Sequence, residues 1–205
     1  MKIAIIDYGT SNLQSVKNAL KRLGYKSEIT SSSKRILASD RIILPGVGAF
    51  KKGMDGLKKN NLIEPLNICV FEKKIPILGI CLGFQLMAKK SYEFGQHLGL
   101  GWIDAEIKKF PGNILSSTHM GWNKVLIKKN ESIFNNLSSK EVFYFANSYY
   151  VKLIDKNIET SNCKYEINFT SSIKLNNIIG VQFHPEKSQM SGLMIYKNFI
   201  ENYAN

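Results

Sequence analysis

The 205-residue sequence contains only three cysteines, Cys69, Cys81 and Cys163. Their number is odd and their spacing matches no metal motif, which argues against a disulfide framework and favours a reducing cytoplasm. No apolar run approaches the about 20 residues that a membrane-spanning helix needs. Residues 1–7 are too quickly interrupted by charge for a signal peptide. We therefore expect a cytoplasmic protein with no membrane contact, no metal and no cofactor.

Acidic residues are also scarce, since 16 Asp and Glu stand against 28 Lys and Arg, for a net charge of +12. Such a balance would suit an anionic partner such as nucleic acid. The lysines, however, fall singly or in pairs, with no arginine-rich arm and no aromatic residues interleaved. A nucleic-acid footprint is a patch or stripe. We therefore predict no nucleic-acid partner and place the lysines on solvated helix faces.

Apolar segments alternate with helical patterns through the first half of the chain. Buried strands are predicted at 2–6, 41–44 and 75–80, with helices between them. Alternating strands and helices call for a mainly parallel sheet with helices on both faces. The length suffices for one domain with a sizeable core, which we assign to 1–205.

The second half of the chain changes to alternating strand patterns. We predict an antiparallel β addition to the same domain, a polar exposed loop at 157–164, and a closing helix whose apolar face includes Leu193 and Tyr196. The predicted fold class is therefore α/β, with a central, mainly parallel sheet flanked by helices. Functional groups of such sheets gather at the carboxyl ends of the strands.

A cysteine flanked by glycines follows one of these strands, in the motif Gly-Ile-Cys-Leu-Gly at 79–83. A helix is predicted directly after it, over 84–88. A residue at such a strand-to-helix elbow is held above the sheet edge, and the helix N-terminus favours a thiolate. A buried structural cysteine is the commoner case. The glycines and the elbow reverse that balance, so Cys81 is predicted to be a nucleophile.

A base and an orienting acid for Cys81 stand at another strand end, in the motif His-Pro-Glu. His184 is expected to exchange a proton with the thiol, and Glu186 to hold the imidazole tautomer, as the third member of a triad does. The two other histidines of the chain are weaker candidates by spacing. Distance along the sequence is no objection, because triads assemble in space.

Acyl transfer at Cys81 also needs hydrogen-bond donors for an oxyanion. The backbone N–H of Leu82, one residue past the nucleophile, is one donor expected in such elbows. The second is expected from the Pro-Gly-Val-Gly turn that follows a strand, at Val47 and Gly48. Losing one such donor costs on the order of 100- to 1,000-fold in rate.

Together these motifs resemble the triad class of glutamine amidotransferases, and more narrowly the glutaminase subunits of imidazole glycerol phosphate synthase. The resemblance rests on Pro-Gly-Val-Gly, Gly-Ile-Cys-Leu-Gly-x-Gln and His-Pro-Glu-Lys-Ser, is supported by His-Met-Gly-Trp-Asn at 119–123, and runs from end to end. It implies a class I glutamine amidotransferase-like, flavodoxin-like fold. It also implies a glutaminase that hydrolyses glutamine and serves histidine biosynthesis.

The resemblance implies roles for further residues. Gln85 and Glu93 would hold the amino-acid head of glutamine, while Asn12 and Trp122 would face a partner. That partner would be a TIM-barrel synthase subunit in a heterodimer, into which ammonia passes without meeting bulk water. The peptide at 47–48 would reorient when the partner binds.

Three positions depart from the family pattern: Phe84 replaces Met, Tyr92 replaces Glu, and Asn147 replaces His. Together with the Gly-Trp-Ile-Asp stretch at 101–104, they keep open an alternative in which a paralogous subunit supplies ammonia for amidino sugars of surface polysaccharides. Two further hypotheses are an idle scaffold that only activates the barrel, and a hydrolase such as a gamma-glutamyl peptidase. The intact candidate triad argues against the scaffold, and a free-standing hydrolase would not need Asn12 or Trp122 to face a partner.

Overall fold

The computed structural model describes residues 1–111, 118–128 and 131–203. The strands of this part of the chain are β1 (Ile3–Ile6), β2 (Ser27–Thr30), β3 (Arg41–Leu44), β4 (Ile77–Ile80), β5 (Ala88–Ser91), β6 (His97–Leu98), β7 (Ile103–Lys109), β8 (His119–Ile127), β9 (Lys140–Asn147), β10 (Tyr149–Leu153), β11 (Glu159–Tyr165), β12 (Ile167–Leu175) and β13 (Ile178–Val181). The α-helices are α1 (Leu13–Arg22), α2 (Ser33–Leu37), α3 (Phe50–Lys59), α4 (Ile63–Asn67), α5 (Leu82–Leu86) and α6 (Gln189–Glu201). Among the described residues, no helix has both the length and the apolar character that crossing a membrane requires.

The strands join into one mixed sheet. Its first half, in the order β2-β1-β3-β4-β13, is parallel throughout. The sheet continues through β12, β10, β7, β5 and β6, and a branch of β11, β8 and β9 leaves from β12. All pairs of this second half are antiparallel except β5 with β7. The predicted fold class, a mainly parallel core with an antiparallel addition, is confirmed.

Side-chain alternation along β1 explains why helices cover both faces of the sheet. Ile3 and Ile5 pack into the apolar cluster that contains α1 and α6, whereas Ala4 and Ile6 pack into the cluster of α2, α3, α4 and α5. Strands buried on both faces carry continuous apolar runs rather than alternating ones. The parallel strands are therefore the part of the fold that the sequence indicates most directly.

The polar stretch 157–164 is wrongly predicted as an exposed loop, since most of it belongs to β11. This strand lies between β12 and β8 and pairs with both. Its Ser161 is fully buried, and the hydroxyl lies 2.7 Å from that of Ser171 and 2.6 Å from that of Ser172. Hydrogen bonds between hydroxyls offset the free-energy cost of burying them. A polar composition therefore does not indicate solvent exposure in this segment.

The helix predicted over 84–88 is also wrong in its bounds. α5 begins at Leu82, directly after Cys81, and Ala88 already belongs to β5. β5 pairs with β7 in the sheet, and this long-range pairing overrides the helical pattern of the local sequence. The earlier start places the N-terminus of α5 at Cys81 itself.

Gly83 approaches β3 so closely that no side chain fits. A Cβ atom on Gly83 would lie 1.7 Å from the carbonyl oxygen of Leu44. We expect Gly83→Ala to lower the free energy of unfolding by about 3 kcal/mol or more, because backbone must move to admit the methyl group. Urea unfolding followed by circular dichroism measures the loss.

The control for this substitution is Gly101→Ala. Gly101 has a φ of 71°, and no other part of the described chain comes within 4 Å of the place that a methyl group would take. Only the left-handed backbone therefore costs energy, about 1 to 2 kcal/mol. Equal losses in the two variants would contradict the close approach of α5 to β3.

Candidate active site

Cys81 occupies a strained backbone turn between β4 and α5. Its φ of 51° and ψ of −107° are unusual for a residue with a Cβ atom. The turn is anchored on both sides, because the Cys81 N–H donates to the carbonyl of Val181 at 2.8 Å and its carbonyl accepts from the N–H of Gln85 at 3.1 Å. The thiol is therefore fixed at the carboxyl edge of the sheet, where the sequence places it.

His184 and Glu186 follow β13, the strand that neighbours β4. Nδ1 of His184 lies 2.7 Å from Oε1 of Glu186, and both side chains are 1% exposed. The other ring nitrogen, Nε2, is shielded from solvent and forms no hydrogen bond with the described residues. Burial lowers the pKa of His184, but the charge of Cys81, followed by the hydrogen bond and charge of Glu186, outweighs burial and raises this pKa to about 10. A protonated imidazole of this kind stabilises a thiolate.

Two further groups contact the Glu186 carboxylate. Asn12 Nδ2 donates to Oε1, the oxygen that already contacts His184, and the hydroxyl of Tyr196 lies 3.4 Å from Oε2. Asn12 is half-buried at the N-terminus of α1. Its side chain therefore contacts the candidate triad, and its expected partner-facing role stays a prediction.

Cys81 and His184 of the candidate triad border a cavity of about 560 Å³, and Glu186 contacts His184 from outside the cavity wall. Most of the residues singled out in the sequence lie in its wall: Asn12, Val47, Gly48, Cys81, Leu82, Gln85, Glu93, Asn147 and His184. The wall also includes Tyr149 and Lys187, to which the sequence assigns no role of their own. Residues from separate parts of the chain thus meet around one space large enough for an amino acid.

The amide of Gln85 is oriented by the protein. Its Nε2 donates to the carbonyl of Tyr149 at 2.9 Å and to Oε1 of Gln182 at 3.1 Å. Both amide protons are used within the protein, so Oε1 remains for a ligand. Gln182 in turn directs its Nε2 at the sulfur of Cys81, 3.7 Å away. Sequence reasoning missed this role of Gln182, for which the sole signal is a polar residue at the end of an apolar strand.

Glu93 places a carboxylate at the same cavity. Its Oε2 accepts the backbone N–H of Phe50 at the start of α3. Burial raises the pKa of Glu93, while the Phe50 N–H and nearby His97 oppose the rise. A partly buried carboxylate is a suitable partner for the ammonium group of an amino acid.

The expected oxyanion donors are engaged within the chain. The N–H of Leu82 donates to the carbonyl of Gly46 at 3.3 Å, and the N–H of Val47 donates to the hydroxyl of Thr10 at 3.1 Å. Gly48 has a φ of 105°, and no described residue beyond its chain neighbours comes within 4 Å of the position that a Cβ would take. The turn lies beside Cys81 as expected, but the oxyanion role of these groups stays a prediction.

The three departures from the family pattern fall in different surroundings. Tyr92 lies outside the cavity wall, and the Nζ of Lys108 is 3.5 Å from the centre of its ring. Phe84 is fully buried, and a Cβ on Gly180 would lie 2.1 Å from its ring. Asn147 alone of the three lines the cavity, and its Nδ2 donates to the carbonyl of Tyr149 at 2.9 Å.

Trp122 lies on an exposed apolar face of the β8–β9 pair. Its side chain is 48% exposed, and its ring meets the edge of the Tyr144 ring at 6.1 Å. Alternate residues of the two strands share this outer face because strand side chains alternate. We define the β8–β9 face as Met120, Trp122, Leu126, Val142 and Tyr144.

Comparisons with known proteins indicate one family. The family model described as glutamine amidotransferase class-I matches residues 4–202. Imidazole glycerol phosphate synthase subunit HisH of Moorella thermoacetica is 44% identical over 199 residues, covering 97% of this chain and 94% of the relative. Subunit HisH 1 of Parasynechococcus marenigrum is 45% identical over 204 residues, covering 97% of both chains. A crystal structure of a glutamine amidotransferase shares the fold, with a TM-score of 0.76 at 14% identity over 97% of each chain.

A buried histidine next to the site provides a test by pH. His119 pairs across strands with Asn147 and stacks between Phe145 and Tyr165, with ring centres 4.5 and 4.1 Å away. Burial lowers its pKa to about 4. In the unfolded chain, His119 becomes protonated near pH 6.5, whereas in the folded chain it stays neutral down to about pH 4. The free energy of unfolding therefore falls as pH drops from about 6.5 to 4.

We expect His119→Gln to remove this component of the acid sensitivity. Wild type should lose on the order of 2 kcal/mol more than the variant between pH 7 and pH 4. Urea unfolding at each pH measures both proteins. Parallel stability curves for the two proteins would contradict a neutral, buried His119.

Proposed function

Because the chain belongs to the class-I glutamine amidotransferase family, and within it to the HisH subunits of imidazole glycerol phosphate synthase, we propose that it is the glutaminase subunit of that synthase in histidine biosynthesis. It hydrolyses glutamine to glutamate and ammonia. The observation that carries the proposal is the buried array of Cys81, His184 and Glu186 beside a cavity that also holds Gln85 and Glu93.

Each member of the array has a defined task in this reaction. The Cys81 thiolate attacks the side-chain carboxamide carbon, and His184 gives its proton to the departing ammonia, which leaves a thioester. Water then attacks the thioester while His184 accepts its proton, and glutamate is released. Glu186 keeps the Nδ1–H tautomer and stabilises the imidazolium. Gln85 Oε1 and the Glu93 carboxylate bind the substrate ammonium.

Oxyanion stabilisation in this proposal requires a rearrangement of the 45–48 turn. Leu82 can donate to the oxyanion once its N–H leaves the carbonyl of Gly46. The Gly48 N–H becomes the second donor when the Val47–Gly48 peptide turns toward Cys81. The positive φ of Gly48 and the empty space at its Cβ position support such a rotation, because glycine has no side chain to restrict its backbone. Partner binding would supply the driving contacts.

The proposed partner is a TIM-barrel synthase subunit, which forms a heterodimer with this chain and receives the ammonia. The β8–β9 face supports this assignment, since it exposes several large apolar side chains on one side of a strand pair. Exposed apolar patches mark protein interaction sites. Lys187 links this face to the cavity, because its Nζ lies 5.4 Å from the Tyr144 ring and the residue also lines the cavity.

Replacement of the nucleophile should separate ammonia production from ammonia use. In complex with the barrel subunit, Cys81→Ser should release glutamate at least about 1,000-fold more slowly, while synthesis from added ammonium salt continues. Glutamate release and product formation from the histidine-pathway ribonucleotide measure the two steps. The control is Cys69→Ala, which removes a buried thiol outside the cavity wall. If the wild-type complex released no glutamate, the proposed glutaminase activity would be excluded.

Truncation of Trp122 should weaken the complex. We expect Trp122→Ala to raise the Kd for the barrel subunit about 10-fold or more, because large aromatic side chains dominate such interfaces. The control is Ile154→Ala, which removes a 59% exposed apolar side chain outside the β8–β9 face. Titration calorimetry compares the variants. Equal effects of the two substitutions would contradict docking at Trp122.

A further inference from the structure

We propose that Tyr196 is a positioning residue of the active site, whose phenol holds the second carboxylate oxygen of Glu186. The inference rests on the proposed function, since it assigns Tyr196 a task within the same triad. Tyr196 lies on α6, and the sequence alone places it among the apolar core residues of that helix. Its hydroxyl is 3.4 Å from Oε2 of Glu186. Catalytic hydrogen bonds are often long in unliganded proteins and shorten in the reacting complex.

Burial explains why a tyrosine hydroxyl at this position needs a partner. Tyr196 is fully buried, in the apolar cluster that contains Phe199 and Ile195. Phenylalanine would fill the same space, and a buried hydroxyl without a partner destabilises a core. Glu186 provides the acceptor. Burial, followed by the charge of Glu186, raises the pKa of Tyr196 well above its ordinary value, so the phenol remains a donor at every working pH.

The contact completes the environment of the Glu186 carboxylate. Oε1 contacts His184 Nδ1 and Asn12 Nδ2, and Tyr196 reaches Oε2 from another element. Donors on both oxygens fix the plane of a carboxylate, whereas donors on one oxygen leave it free to turn about that oxygen. Tyr196 therefore keeps Oε1 directed at His184, which in turn keeps the imidazolium beside Cys81.

Tyr196→Phe tests the proposal without opening a cavity. Without the phenol, the carboxylate turns more freely and His184 loses part of its counter-charge, so the Cys81 thiolate forms less readily. We expect the acid limb of the pH profile for Cys81 alkylation by iodoacetamide to move up by about 0.5 pH unit. In the complex with the barrel subunit, kcat for glutamine hydrolysis should fall about 3- to 10-fold with little change in KM.

Alkylation is specific to the site because Cys81 lines the cavity, whereas Cys69 and Cys163 are fully buried outside its wall, and Cys81→Ser gives the background rate. Tyr203→Phe is the matched control, since it removes another buried phenol oxygen just beyond α6 and outside the cavity wall. A Tyr196→Phe profile and kcat that coincide with those of Tyr203→Phe would overturn the proposal, whatever the melting temperatures. If the wild-type complex released no glutamate, the proposed function would fail, while the alkylation profile would still decide the role of Tyr196.

Discussion

The rest of the site depends on the buried carboxylate of Glu186. Burial of a charge is unfavourable unless its oxygens are hydrogen-bonded, and here the partners come from separate elements: the start of α1, the segment after β13, and α6. Because each partner lies on a different element, the carboxylate and its surroundings require the helices on this face of the sheet to be in place together. The orientation of His184 therefore depends on tertiary packing, because Glu186, which orients it, is positioned by contacts from several elements on this face.

The glycines around Cys81 serve a second constraint, the close approach of backbone segments. Gly83 lies against the carbonyl of Leu44, Gly46 against the hydroxyl of Tyr8, and Gly180 against the ring of Phe84. These contacts hold β3, β13 and α5 together at the edge where the thiol lies. Their main effect is thus to bring the proposed oxyanion turn, nucleophile and base within reach of one another, which the left-handed backbone of Cys81 alone would not achieve.

The sequence predicts the parallel half of the fold and the candidate triad for one physical reason. Carboxyl ends of parallel strands meet at one edge, so residues that follow β3, β4 and β13 converge whatever their distance along the chain. It does not predict Gln182 or Tyr196 at the site, because an amide in an apolar strand and a tyrosine on an apolar helix face show their orientation only after packing. The wrong prediction of an exposed loop at β11 has the same origin. Buried hydroxyls such as that of Ser161 form hydrogen bonds with a neighbouring strand, and the local sequence does not reveal that pairing.

The locations of the three departures from the family pattern bear on which acceptor receives the ammonia. Tyr92 is outside the cavity wall and Phe84 is a core residue, so neither supports an altered substrate, and of the three departures only Asn147 still bears on the amidino-sugar hypothesis. That residue lines the space where glutamine would bind, which is common to either acceptor. Its carbonyl partner, that of Tyr149, also accepts from Gln85, which joins the departure to the substrate clamp. In the proposed function, Asn147 therefore bears on how glutamine is held, and the acceptor would be selected by the chemistry of the barrel subunit.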